Sequence, residues 1–305
     1  MTTPTAPSPI SQPQPLLWDT PSFTTNYLKA EHITRPCAAL LLQRTGLEKA
    51  LQDPEYAGEK LVVLDQACGT GVVTKALMDI LVGDRNKVRV TSADFAEAMV
   101  QFVRGRTECE GWGEVVEGKT HLPANKYTHL LFNFGPFLLP SPAAGIRESY
   151  RLLQSTGWIA TSTWCTVPWL ADMRCAFATE PRLPALPPMA EILTAFNEVE
   201  ERWDSPEAAK LHLEKGGFLD VQAERVRGSA MWEGVGDLVD LLPGTLGVLK
   251  MGWSEEERLW RSGLGDAMGR GRLSGSGRRL LRRGGRGEEC GWLLRTCHLK
   301  IMFGY

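Results

Sequence analysis

Apolar residues recur along this chain in two rhythms, one of strands and one of helices. Leu61, Val62, Val63 and Leu64 form an unbroken apolar run, which suits a parallel strand covered on both faces. From Val72 onward, Val73, Ala76, Leu77, Ile80 and Leu81 return at helical spacing. Val88 to Ala93 then alternates as a second strand and stops at Asp94. Val115-Val116-Glu117-Gly118 predicts a short third strand and Tyr127 to Phe134 a fourth. Ser141 to Leu153 predicts a helix opened by Ser-Pro, and Gly157 to Trp164 a fifth strand. Ser205-Pro206-Glu207 opens another helix, closed by Gly216-Gly217, and Phe218 to Val226 predicts a sixth strand. Upstream, Tyr27, Leu28, Ile33 and the run from Ala38 to Leu42 predict one or two helices. Near the other end, Cys297, Leu299, Ile301 and Phe303 alternate as a last strand would. Strands alternating with helices imply a parallel sheet with helices on both faces.

Chemistry concentrates between the first strand and its helix. Gly69 and Gly71 lack a Cβ, so the backbone can turn sharply there and a ligand can lie against it. The helix that follows begins with amides that have no intrahelical acceptor, a natural seat for an anion or carboxylate. Against a dinucleotide fingerprint, Ala67, Gly69 and Gly71 occupy the first small positions, but Thr74 stands where the helix-packing glycine belongs, which disfavours NAD. A P-loop is excluded because no Gly-Lys-Ser or Gly-Lys-Thr follows. Asp94 sits about twenty residues beyond the turn, where a carboxylate can accept from both hydroxyls of a ribose; on spacing alone it also fits the start of the next helix.

The stretch VLDQACGTG resembles motif I of the class I S-adenosylmethionine-dependent methyltransferases, and ADFAEAM and NFG follow it in the expected order. The resemblance is to the ubiquinone/menaquinone-type and fungal small-molecule members, and it runs from about Trp18 to Met268. It implies a Rossmann-like, doubly wound α/β fold. The sheet would be mostly parallel and seven-stranded with an antiparallel last strand, helices on both faces and a helical cap. It further implies S-adenosylmethionine as methyl donor, held against the turn of Ala67, Gly69 and Gly71 beside Asp65, with its ribose on Asp94 next to Phe95. Glu117 would accept from the adenine amino group, and Asn133 and Phe134 would lie near the sulfonium. N-terminal helices in this family close over cofactor and substrate, so Tyr27 and Trp18 are candidate lid aromatics, and equally packing anchors. Trp164 and Trp169 either line a substrate pocket or pack in the core.

Composition narrows the partners. Apolar residues at 43% and charged residues at 23% are ordinary for a soluble globular protein, and a formal charge of −2 gives no general attraction to nucleic acid or anionic membrane. The 7 cysteines are scattered without a CxxC pair, which fits reduced thiols in a cytoplasmic enzyme rather than a metal site or disulfides. No apolar run reaches the length of a membrane span. The domains expected are a Pro-rich disordered leader over 1–17, a methyltransferase domain with helical cap over 18–268, a Gly/Arg-rich low-complexity segment over 269–291, and a possible last strand within 292–305. The arginine segment lacks interleaved aromatics for base stacking, so nucleic acid is not the expected partner; a small-molecule acceptor is. No catalytic base is assigned: His129 lies inside a strand and reads as a packed core histidine, while His121, in a loop, is the better candidate. The competing reading is a methyltransferase-like fold that binds a cofactor or metabolite without transferring methyl, as a cyclase or regulator.

Overall fold

The apolar run at Leu61 becomes β1 (Leu61–Gln66), and its two faces feed two separate cores. The structure, a computed structural model, describes residues 18–19, 21–56, 58–83, 85–112, 114–117, 122–139, 141–165, 202–228 and 297–304. Ahead of β1 come α1 (Pro21–Tyr27), a single 3-10 turn (Leu28–Ala30), α2 (Glu31–Arg44) and α3 (Leu47–Gln52). After β1 the order is α4 (Val72–Ile80), β2 (Val88–Asp94), α5 (Glu97–Glu110), β3 (Glu114–Glu117) and β4 (Tyr127–Asn133). Then follow α6 (Pro142–Leu152), β5 (Leu153–Trp164), α7 (Pro206–Lys215), β6 (Gln222–Gly228) and β7 (Cys297–Gly304).

Leu61 and Val63 pack with Ala38, Leu41 and Leu42 of α2, Leu47 and Leu51 of α3, and Val73 and Leu77 of α4. On the opposite face Leu64 joins Leu130 and Phe132 of β4, Ile146 and Leu152 of α6, and Ala209 and Leu213 of α7. This is the three-layer arrangement that strand-helix alternation demands. Pro36 lies inside α2 and removes one helical hydrogen bond, a cost offset by the burial of Ile33, Cys37, Ala38, Leu41 and Leu42 on either side. The N-termini of α6 and α7 are closed by Ser141 and Ser205, whose side chains accept from Ala144 N and Ala208 N.

Among the described residues the sheet order is β3-β2-β1-β4-β5-β7-β6. β1 pairs in parallel with β2 on one side and β4 on the other, and β4 pairs in parallel with β5. The strand order therefore reverses between β1 and β4, and the carboxyl ends of these two strands flank the crevice where open α/β sheets bind ligands. Cys297–Gly304 lies antiparallel to both β5 and β6.

Most boundaries fall within a residue or two of the sequence reading, and two strand starts differ by more. β5 starts at Leu153, directly from the end of α6, instead of at Gly157. β6 starts at Gln222 instead of Phe218, because Asp220 takes a left-handed conformation (φ 53) while Phe218 and Val221 turn into the core. The leader, residues 166–201 and 229–268 of the expected domain, Trp169, His121 and the Gly/Arg-rich segment lie outside the described residues. Among the described residues no helix is long and apolar enough to cross a membrane.

Candidate active site

Three left-handed residues, Ala67 (φ 52), Gly69 (φ 53) and Gly71 (φ 87), carry the chain from β1 into α4. The turn is stitched to its surroundings by backbone: Cys68 N donates to Ala93 O at the end of β2 (3.0 Å), and Gly71 N to Cys68 O (2.8 Å). Gly71 is also where bulk is excluded. A Cβ there would stand 2.8 Å from the Trp112 ring and 3.3 Å from Val103.

Two carboxylates sit on either side of this turn. Asp65, at the end of β1 and only 1% exposed, accepts from Thr74 N (3.0 Å) and Thr74 Oγ1 (2.7 Å) through one oxygen. Thr74 Oγ1 in turn lies 2.8 Å from Ser92 Oγ on β2, so β1, α4 and β2 share one buried polar network. Burial pushes the Asp65 carboxyl up to about 7, opposed by the two bonds from Thr74 and reinforced by the nearby Asp94 charge. Asp94, at the tip of β2 and 6% exposed, accepts from Gly69 N (2.9 Å) with one oxygen and from Ala96 N (3.0 Å) with the other. Burial raises its pKa above the ordinary carboxylate value, the amides of Ala96, Gly69 and Phe95 pull it down, and Asp19 adds repulsion. Asp94 thus holds the glycine turn through Gly69 and accepts from Ala96 N two residues on; the N-cap of α5 is Ala96 itself, without a side-chain cap, so Asp94 is not the capping residue. A carboxylate offers about four acceptor positions, more than these amides occupy.

The N-terminal segment lies against this pair. Trp18, Phe23 and Tyr27 form an aromatic cluster with ring centroids 5.0 to 5.7 Å apart. Tyr27 Cε1 is 3.7 Å from where a Gly69 Cβ would stand. Burial pushes the Tyr27 phenol up to about 12, with further contributions from Asp94 and then Glu31.

At the tip of β4, across the crevice, the chemistry is neutral. Asn133 accepts from Ser162 Oγ on β5 (2.6 Å) and donates to Thr34 O of α2 (3.3 Å). Phe134, left-handed at φ 57, donates its N–H to Ser162 O and Oγ, both 3.1 Å away. Its ring stacks on Trp164 at 4.2 Å between centroids. Gly135 brings this tip against the glycine turn, since a Cβ there would stand 3.0 Å from the Ala67 Cβ.

Of the residues singled out from sequence, Asp65, Ala67, Gly69, Gly71 and Asp94 converge at the tips of β1 and β2, with Phe95 next in chain. Asn133 and Phe134 stand at the tip of β4, and β3 pairs so that the backbone of Glu117 lies opposite Asp94. His129 is buried inside β4, its Nδ1 2.9 Å from Thr128 Oγ1, and burial lowers its pKa to about 4. Sequence reasoning passed over Arg106, Trp112 and Glu31, which pack behind the turn.

Residues 64–161 match the family described as a methyltransferase domain. The chain is 34% identical over 212 residues to Methyltransferase tpcH of Aspergillus fumigatus, covering 67% of this chain and 72% of that one. It is 32% identical over 243 residues to the acetylaranotin bis-thiomethyltransferase of Aspergillus terreus, covering 77% of this chain and 80% of that one. The chain belongs to the class I S-adenosylmethionine-dependent methyltransferases. Among solved structures, the [4+2]-cyclase SpnF superposes with a TM-score of 0.47 at 14% identity, over 88% of this chain and 79% of that one. The methyltransferase uses S-adenosylmethionine as its methyl donor, and the fold is Rossmann-like α/β with a mostly parallel sheet.

Proposed function

We propose that this methyltransferase moves a methyl group to an oxygen, nitrogen or sulfur of a small molecule, in fungal secondary metabolism, and does so in the cytoplasm. The observation that carries the residue assignment is the join between the two strand tips: Asp94 at the end of β2 holds Gly69 N at 2.9 Å, which ties the carboxylate proposed for the ribose directly to the glycine turn. In this reading Asp94 accepts from the ribose hydroxyls. Ala67, Gly69 and Gly71 receive the methionine moiety, Phe95 and Glu117 bound the adenine, and Asn133 and Phe134 face the reacting centre. Asp65 anchors the turn from below through Thr74.

When bound, S-adenosylmethionine supplies a sulfonium-activated methyl group for in-line displacement. The chain's own contribution is alignment: neutral groups at the β4 tip hold the acceptor without competing for the methyl. His129, buried and with a lowered pKa, is not the base, and no catalytic residue is assigned.

The fold reading extends further. Cys297–Gly304, placed antiparallel between β5 and β6, supports a seven-stranded sheet with an antiparallel last strand. The leader over 1–17, the domain over 18–268 and the low-complexity segment over 269–291 complete this organisation. Membrane and nucleic acid have no part in it.

The name of the Aspergillus terreus relative puts a thiol acceptor with that protein, so thiols head the panel that tests the proposal. Purified protein is incubated with S-adenosylmethionine and small thiols, phenols and amines, and both products are followed by mass spectrometry. S-adenosylhomocysteine formed together with an acceptor heavier by one methylene supports the proposal. Transfer to protein or RNA substrates alone, with none to small molecules, sinks it. Methyl transfer, rather than a fold that only binds, is favoured because the two fungal relatives reported above, each more than 30% identical, are named for it.

A further inference from the structure

We propose that Arg106 is a positioning residue for the methyl-donor site, joining the glycine turn to the N-terminal helices so that donor affinity depends on its contact with Glu31. The inference rests on the reading of that turn as the donor's seat. Arg106 lies in the third turn of α5, and its Nη1 donates both to Glu31 Oε1 at the start of α2 (2.6 Å) and to Thr70 O in the turn itself (2.7 Å). The guanidinium lies 4.3 Å from the centroid of the Trp112 ring, the same ring that excludes bulk at Gly71. Glu110 completes the group, with one oxygen 3.7 Å from Arg106 Nε and the other accepting from Trp112 Nε1 at 3.0 Å.

These contacts hold one peptide plane at both ends. The Thr70 carbonyl is fixed by Arg106, and the N–H of the same peptide, Gly71 N, donates to Cys68 O at 2.8 Å. The orientation of that plane sets where the first amides of α4 point. Glu31 and Arg106 are 17% and 16% exposed, so their attraction is less screened than that of a surface pair, and removing either leaves the other charge poorly compensated. The N-terminal segment is tied to α5 a second time, through Asp19 Oδ1 accepting from Ala98 N at 3.1 Å. The segment is therefore tied to α5 at Asp19 and at Glu31, with Tyr27 between the two ties against Gly69 and near the Asp94 charge. Of these two ties, the Arg106 one also touches the donor turn.

The test is calorimetric titration of the full chain with S-adenosylhomocysteine, alongside thermal melts, for wild type, R106M, R106K, E31Q and the double variant E31Q/R106M. R106M, which keeps the stem over Trp112, is expected to bind about tenfold more weakly, as the loss of a charged hydrogen bond implies, and R106K to recover part of that. E31Q is expected to lose less, and the double variant no more than R106M alone, because the two residues act through one contact. A folded R106M that binds as wild type does, or losses that simply add, overturns the inference. Should R106M not fold, E31Q binding as tightly as wild type overturns it. No binding by the wild type defeats the donor-site reading itself.

Discussion

The two sides of the crevice are built on opposite electrostatic plans. At the tips of β1 and β2, two buried carboxylates hold a glycine turn through backbone amides, with a guanidinium behind it. At the tip of β4, an amide, a serine hydroxyl and two stacked rings do the equivalent work without a formal charge. A donor that carries ribose hydroxyls and an ammonium needs acceptors and negative charge on that side. The acceptor side serves best if nothing there competes as a nucleophile. Under the proposed site assignment, affinity for the donor lives in charge and backbone geometry, while rate lives in neutral alignment.

The sharpest way to break the donor side is Gly71→Ala. The substitution forces a side chain into φ 87 and onto the Trp112 ring, 2.8 Å away. Left-handed backbone alone costs about 1–2 kcal/mol for a residue with a Cβ, so a lower Tm by several degrees and a loss of donor affinity of at least about tenfold are expected. Unchanged melting and titration curves would show that the tight fit has no consequence.

Asn133→Ala probes the other side and is expected to act differently. It removes the ties to Ser162 and Thr34 and frees the β4 tip, so kcat falls by about tenfold through misalignment. Donor affinity changes less than about twofold, within the value of one weakly coupled hydrogen bond. Equal losses in kcat and donor affinity would contradict the division of labour.

Asp65→Asn gives the smallest effect and reads the buried charge. Because the folded-state pKa of Asp65 is raised to about 7, its favourable contribution is present below the unfolded value and is lost as pH rises towards 7. Wild-type Tm should therefore fall between pH 5 and pH 8 by more than that of the variant. The asparagine oxygen can still accept from Thr74, so the variant stays folded. Parallel pH profiles would show that Asp65 carries no buried-charge penalty.

What the sequence made legible divides along the same line. The run from Leu61 to Leu64, the turn at Gly69 and Gly71, and Asp94 beyond Ala93 are local patterns, and each occupies the place its pattern implied. Arg106 was not legible because its partners, Glu31 and Thr70, are 75 and 36 residues away. The one local hint was the Arg106–Glu110 spacing followed by Trp112, which reads as an exposed helical pair until the fold turns it inward. The start of β6 was misplaced for a related reason. Phe218 and Val221 are apolar because they fill the core beneath α7, a role no strand periodicity could separate from pairing.

The central claim is that Asp94 and the turn it holds bind the adenosine-bearing donor. Titrating S-adenosylmethionine into wild type and Asp94→Ala tests it most directly, with circular dichroism to show that both are folded. One-site binding by the wild type and about a hundredfold weaker binding by the variant are expected, since two hydrogen bonds to a charged acceptor are lost. A folded Asp94→Ala that binds the donor as tightly as the wild type would contradict the account.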